Sequence, residues 1–272
     1  MKKIFILLLL CGLKSQAQTS RVLIVGDSWA EQQFEDGSHV AVFSNNGYFD
    51  INVVGSSTTQ SGSEASGWAA PSELKKIGDA LAAHPDIDTV QLTIGGNDFL
   101  NNWSINMSSK QEMALQQQIQ SDITTIVEFI LAQDTKIEIV LSFYDYPNFV
   151  DTLGGLSGLV CAPLLKDLGT PSSALLNNAI TQYENIYAQI ATEHSRVYHV
   201  THLGLMQYFY SNIPRPGDLS LPSPVAALRT HPPFESLDCF HLNPVSYEVL
   251  VQNLFDNYYL VRFDTVFKSG FE

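Results

Sequence analysis

Five short apolar runs punctuate the chain, and a segment with helical periodicity follows each of them. Residues 21–25 form an unbroken run, the pattern of a strand buried on both faces. Residues 48–54 alternate and are rich in β-formers, 88–94 and 136–143 are further strands, and 196–201 makes a fifth. Between them the spacing predicts a helix over 29–46, interrupted at Gly37-Ser38, and another over 72–83, with Ser72 as N-cap after Pro71. A long amphipathic helix covers 108–133, where Met113, Ile119, Ile123, Ile126, Val127 and Ile130 share a face. Helices over 174–194 and 243–259 complete the set, the last with Asn243 as N-cap and Pro244 in its first turn. This alternation predicts an α/β domain in which a parallel sheet is covered by helices on both faces, the doubly wound three-layer α/β/α sandwich.

Three stretches break the pattern. Residues 55–71 are a Ser/Gly/Thr-rich loop, and 145–172 read as loop with short helical turns. Residues 211–237 hold Pro214, Pro216, Pro222, Pro224, Pro232 and Pro233, too many for regular structure throughout. Long loops in compact domains often carry function, so the last two are expected over the active end of the sheet.

The N-terminus changes the picture of where the chain works. Met1-Lys2-Lys3, the apolar residues 4–10 and the small-x-small Ser15-Gln16-Ala17 read as a cleavable signal peptide over 1–17. Its apolar run is too short to span a bilayer, and Leu10 stands where a lipid-modified Cys11 would need a small residue before it. The expected organisation is signal peptide 1–17, one domain over 18–262 and a tail over 263–272, exported to periplasm or medium. Losing Lys2, Lys3 and Lys14 with that segment takes the formal charge from −14 to −17. So acidic a chain is a poor partner for nucleic acid or anionic membrane, and no segment calls for stable membrane insertion. Cys161 and Cys239 remain; in an oxidising compartment they are a candidate disulfide, and otherwise two small buried thiols.

The chemistry gathers in three short blocks. Val25-Gly26-Asp27-Ser28-Trp29 places a serine where the first strand turns into a helix. There its hydroxyl is exposed at the carboxyl end of the sheet, behind free helix N–H groups. A serine needs a base, an orienter for that base and donors for the oxyanion. Asp238-Cys239-Phe240-His241 offers the first two, with His241 as general base and Asp238 able to reach it from the same turn. Gly95-Gly96-Asn97-Asp98 offers a side-chain amide donor. Gly26-Asp27-Ser28, Gly96-Asn97-Asp98 and Asp238-x-x-His241, in this order, resemble the conserved blocks of the GDSL/SGNH hydrolases, with Trp29 in place of the family's usual leucine.

The resemblance implies a flavodoxin-like five-stranded sheet in the order 2-1-3-4-5. It also implies a catalytic triad of Ser28, Asp238 and His241, and an oxyanion hole of the Ser28 N–H, Asn97 and a glycine after the second strand. Gly62, in Gly62-Ser63-Glu64-Ala65-Ser66-Gly67-Trp68-Ala69, is the choice, with Gly55 as runner-up. Asp27 and Asp98 are expected to fix loops. Trp29, Trp68, Trp103, Phe99, Tyr144 and Tyr146 fit either a substrate pocket or the core.

His194, His199 and His202 lie close in sequence, but strand alternation turns His199 and His202 to opposite faces, against a joint metal site. No phosphate or dinucleotide fingerprint appears, and no cofactor is expected. The expected function is that of a secreted serine esterase or lipase acting on a small-molecule, lipid or glycan ester. The competing functions are a carbohydrate O-deacetylase and a non-catalytic glycan- or lipid-binding protein on the same scaffold.

Overall fold

The computed structural model describes residues 18–269. The signal-peptide assignment to 1–17 lies outside the described residues. In chain order the elements are β1 (Thr19–Gly26), α1 (Ser28–Glu35), α2 (Ser38–Asn45), β2 (Ile51–Val54), α3 (Ala65–Trp68) and α4 (Pro71–Ala83). Then come β3 (Thr89–Thr93), α5 (Gly96–Asn102), α6 (Ser109–Leu131), β4 (Glu138–Ser142), α7 (Gly158–Asp167), α8 (Ser173–Glu193), β5 (Val197–His199) and α9 (Leu205–Ser211). The chain closes with β6 (Leu228–His231), β7 (Ser236–Leu242), α10 (Pro244–Leu254), a π-helical turn at Phe255–Tyr259 and α11 (Leu260–Ser269).

The five parallel strands lie in the order β2-β1-β3-β4-β5, so β1 runs between β2 and β3 and its carboxyl end meets theirs. Alternation along β1 builds the three layers. Leu23 and Val25 join Leu92, Ile139 and Leu141 in the core under α4, α6 and α8. Val22 and Ile24 face the other way, with Val140, toward α2, α10 and the π-turn. Strands β1, β3 and β4 bury both faces over most of their length, which is why those runs carry little exposed polar surface. Across the amino end of the sheet, Arg21 donates to the Asp88 carboxylate through Nε (2.9 Å) and Nη2 (2.6 Å).

Several local expectations change. The 29–46 helix is two helices, broken where Gly37 takes a positive φ of 70°. Helix α4 starts at Pro71 with Ala70 as its cap residue, so Ser72 is inside the helix; proline's fixed φ suits the first turn and no side chain caps there. The 145–172 stretch contains the ten-residue α7, with Pro163 inside it. The 211–237 stretch gives way to an antiparallel hairpin, β6–β7, whose second strand carries Asp238 and His241. Helix α11 runs to Ser269, and Phe263, where the expected tail begins, is fully buried against Phe43 and Tyr259. Cys161 in α7 and Cys239 in β7 are joined by a disulfide, which anchors the hairpin to the segment after β4.

Candidate active site

The three sequence blocks meet at the carboxyl end of β1 and β3. Gly26 must be glycine: its φ is +148°, and a Cβ would lie 1.8 Å from the Thr93 carbonyl oxygen. This close approach lets the Asp27 N–H donate to Thr93 O (3.1 Å) and the Gln60 N–H to Gly26 O (2.9 Å). Asp27 then caps α1, accepting the Trp29 N–H at Oδ1 (3.0 Å). Ser28 becomes the first residue of α1, with its own N–H outside the helical ladder.

Ser28 Oγ lies 2.7 Å from His241 Nε2, and His241 Nδ1 lies 2.8 Å from Asp238 Oδ2. An ionised carboxylate only accepts, so Nδ1 carries the ring proton and bare Nε2 accepts from the serine hydroxyl. Asp238 Oδ1 accepts the N–H groups of Phe240 (2.9 Å) and His241 (2.8 Å), so backbone and ring of one turn hold the carboxylate. Burial alone would raise the Asp238 pKa, but the hydrogen bonds and charge of His241, with the Phe240 N–H, outweigh it and keep the group well below the usual carboxylate range.

Asn97 is buried near the start of α5, and its Nδ2 donates to Ser63 O (2.9 Å). That bond orients the amide and leaves its second N–H for another acceptor. It also brings the 60–63 turn against Asn97. Gly62 is exposed there, in a left-handed conformation (φ 75°), and its N–H has no partner among the described residues. Gly55 instead follows β2 beneath Phe34, with its carbonyl tied to Thr58 and Thr59.

The two flanking aspartates hold backbone. Asp98 Oδ2 accepts the Ala65 N–H (2.8 Å), and burial, with the nearby Glu64 charge, lifts its pKa to about 6 against that bond. Asp27 is buried completely, which pushes its pKa up to about 7 despite the Trp29 N–H. The Tyr144 hydroxyl faces Asp27 and Ser28 without hydrogen-bond geometry to either. The Tyr144 ring stacks on Trp29 at 4.3 Å and covers Gly96 so closely that a Cβ there would meet it at 2.0 Å.

Trp29, Trp68, Trp103, Phe99, Tyr144 and Tyr146 are all core residues, at most 5% exposed. Leu153, Leu156, Leu159 and Val160 protrude from α7 and the turn before it, the segment tied to β7 by the disulfide. The three clustered histidines separate: His199 pairs with Glu184 (2.7 Å), buried His202 meets Asn253 (3.1 Å), and His194 bonds Ile190 O (3.0 Å).

One residue beside Asp238 is absent from the sequence blocks. His231, on β6, places Nε2 3.0 Å from Asp238 Oδ2. Only the hairpin brings it there, and seeing Pro232-Pro233 as a turn between two strands was the signal that would have found it.

The family model for GDSL-like lipase/acylhydrolase matches residues 22–254. Among solved structures, Est24, a carbohydrate acetylesterase from Sinorhizobium meliloti, is similar with a TM-score of 0.54 and 14% identity, over 89% of this chain and 100% of that one. An extracellular lipase from Streptomyces rimosus is similar with a TM-score of 0.52 and 16% identity, over 88% and 99%. At such identities the likeness speaks for the fold alone. No curated protein sequence matches the chain. No helix among the described residues is long and apolar enough to cross a membrane.

Proposed function

The chain belongs to the GDSL-like lipase/acylhydrolase family and is an ester hydrolase; from that premise we propose that it is an exported serine esterase whose nucleophile is Ser28, with His241 as base and Asp238 as its orienter. The observation that carries this is the unbroken contact chain from Ser28 Oγ through His241 (2.7 Å) to Asp238 (2.8 Å). Ser28 Oγ attacks the ester carbonyl carbon as its proton passes to His241 Nε2. The carbonyl oxygen becomes an oxyanion, received by the Ser28 N–H, the free Asn97 amide N–H and the Gly62 N–H. Collapse expels the alcohol with the proton from His241, leaving an acyl-serine. Water then gives a proton to His241 and attacks the acyl carbon, and the acid leaves as the acyl–Oγ bond breaks and His241 returns that proton to Ser28 Oγ.

Export is supported by the signal-like residues 1–17 and by a disulfide, which persists in oxidising compartments. The aliphatic surface on α7 favours esters with an apolar acyl chain over sugar acetates. The test is mass measurement after incubation with a fluorophosphonate, on wild type, Ser28→Ala and His241→Ala. A single adduct in wild type, absent from both variants, is expected; an adduct that survives Ser28→Ala refutes the assignment. A p-nitrophenyl ester series should show kcat/KM rising from acetate toward longer acyl chains, and a steady fall would transfer the substrate to the acetylester class.

A further inference from the structure

We propose that His231 is a positioning residue of this site, a second histidine that shares the Asp238 carboxylate with the base and makes the base's proton affinity depend on its own charge. The inference rests on the triad assignment above. Two ring nitrogens address one oxygen: His241 Nδ1 at 2.8 Å and His231 Nε2 at 3.0 Å, both on Asp238 Oδ2. With Oδ1 occupied by two backbone N–H groups, the carboxylate's acceptor positions are filled.

The hairpin explains how His231 arrives. His231 pairs with Ser236, so Asp238 is its diagonal neighbour two residues along β7, within reach of a long side chain. The two histidines differ in access. The His231 side chain is 49% exposed, whereas those of Asp238 and His241 are 12% and 15% exposed. His231 therefore exchanges protons with solvent directly and passes the effect inward through the carboxylate.

The charged and titratable surroundings are limited. Asp238 and His241 stand on β7, and Ser28 opens α1. Tyr247, on α10, feels the charges of Arg229, Asp238 and Asp27. Arg229 is itself neutralised by Asp36, and Glu235 sits in the hairpin turn. The only ring besides His241 that hydrogen-bonds Asp238 among the described residues is His231.

Neutral His231 acts as an N–H donor that holds the carboxylate plane for His241. Protonated His231 places a full positive charge on the oxygen that stabilises the His241 imidazolium. The two cations then compete, and His241 becomes a weaker base. The acid limb of the kcat/KM profile, which reports the base in the free enzyme, is thereby held at lower pH.

The experiment is the pH profile of p-nitrophenyl acetate hydrolysis for wild type, His231→Ala, His231→Gln and Phe234→Ala. Phe234, at the hairpin turn and 72% exposed, controls for damage to the hairpin. His231→Ala should lower the plateau kcat/KM roughly 3–10-fold and move the acid midpoint up by about half a pH unit or more, because Asp238 then serves His241 alone. His231→Gln keeps a neutral donor, so it should restore the plateau while leaving the midpoint above wild type. Phe234→Ala should follow wild type. An unchanged or lowered midpoint in both His231 variants, or a plateau that glutamine does not restore, overturns the proposal. Fluorophosphonate labelling of Ser28 in wild type keeps such a failure separate from failure of the triad assignment; a wild type that neither labels nor hydrolyses defeats both.

Discussion

Removing the Cys161–Cys239 bond tests how much of the fold depends on one covalent tie. The two residues are 78 apart in sequence, so the bond closes a long loop containing α8, β5 and α9. Chain-entropy reasoning for a loop of that length gives about 15 cal/mol/K, or about 4.5 kcal/mol at 25 °C, acting through the unfolded state. Both sulfurs are buried, so a Cys161→Ala/Cys239→Ala variant should lose about a further 1 kcal/mol of packing. The assay is guanidinium unfolding followed by fluorescence of the buried Trp29, Trp68 and Trp103. The midpoint should fall, and the slope m should rise because the unlinked chain expands further. Activity should fall less than stability. Strand β7 keeps other ties: the Asn148 N–H donates to Cys239 O (2.7 Å) and the Leu237 N–H to Ser157 Oγ (2.7 Å). A loss below about 1 kcal/mol with unchanged m would refute the entropic argument.

Two substitutions beside the nucleophile give sharper outcomes. The Asp27 pKa stands at about 7 in the folded chain against 3.8 as its ordinary value, so the native state holds the extra proton. Its contribution to stability is complete below pH ~4 and lost as pH rises through ~7, a cost of at most a few kcal/mol. Asp27→Asn keeps the cap acceptor without the charge and should gain urea resistance over wild type at pH 8 but not at pH 4; parallel pH dependence in the two proteins would contradict this. Gly26→Ala forces a Cβ toward the Thr93 carbonyl and must separate β1 from β3, so it should cost roughly 3 kcal/mol or more, read as a fall in Tm; an unchanged Tm would show that the approach is not rigid.

Strands β1, β3 and β4 were legible because they are buried along nearly their whole length, as in Val22 to Val25, whereas β2 showed as alternation. The blocks holding Ser28, Asn97, Asp238 and His241 stood out because the proposed chemistry needs particular residue types in short runs. What lies between the blocks did not. The β6–β7 hairpin is flanked by prolines and its second strand buries only Cys239 and Leu242, so neither alternation nor continuity marks it. His231 was hidden with it, since a cross-strand contact has no signature until the pairing is known. The start of α4 was misplaced because a serine after proline suggests a cap, whereas Pro71 itself fits the first helical position. The aromatic residues near strand ends were ambiguous by composition; packing settled them, as when Trp29 and Tyr144 stack over Gly96.

The 213 residues that separate Ser28 from His241 give the site a timetable. A growing chain presents its nucleophile loop almost at once and completes the five-stranded sheet at β5. It still lacks the proposed base, because the β6–β7 hairpin and its two histidines follow the whole sheet. Under the proposed roles, a chain interrupted before residue 241 carries Ser28 without the base that would activate it. Ester turnover on this assignment is thus a certificate of completion: it begins only when the first and last thirds of the domain have met, and partial chains are silent.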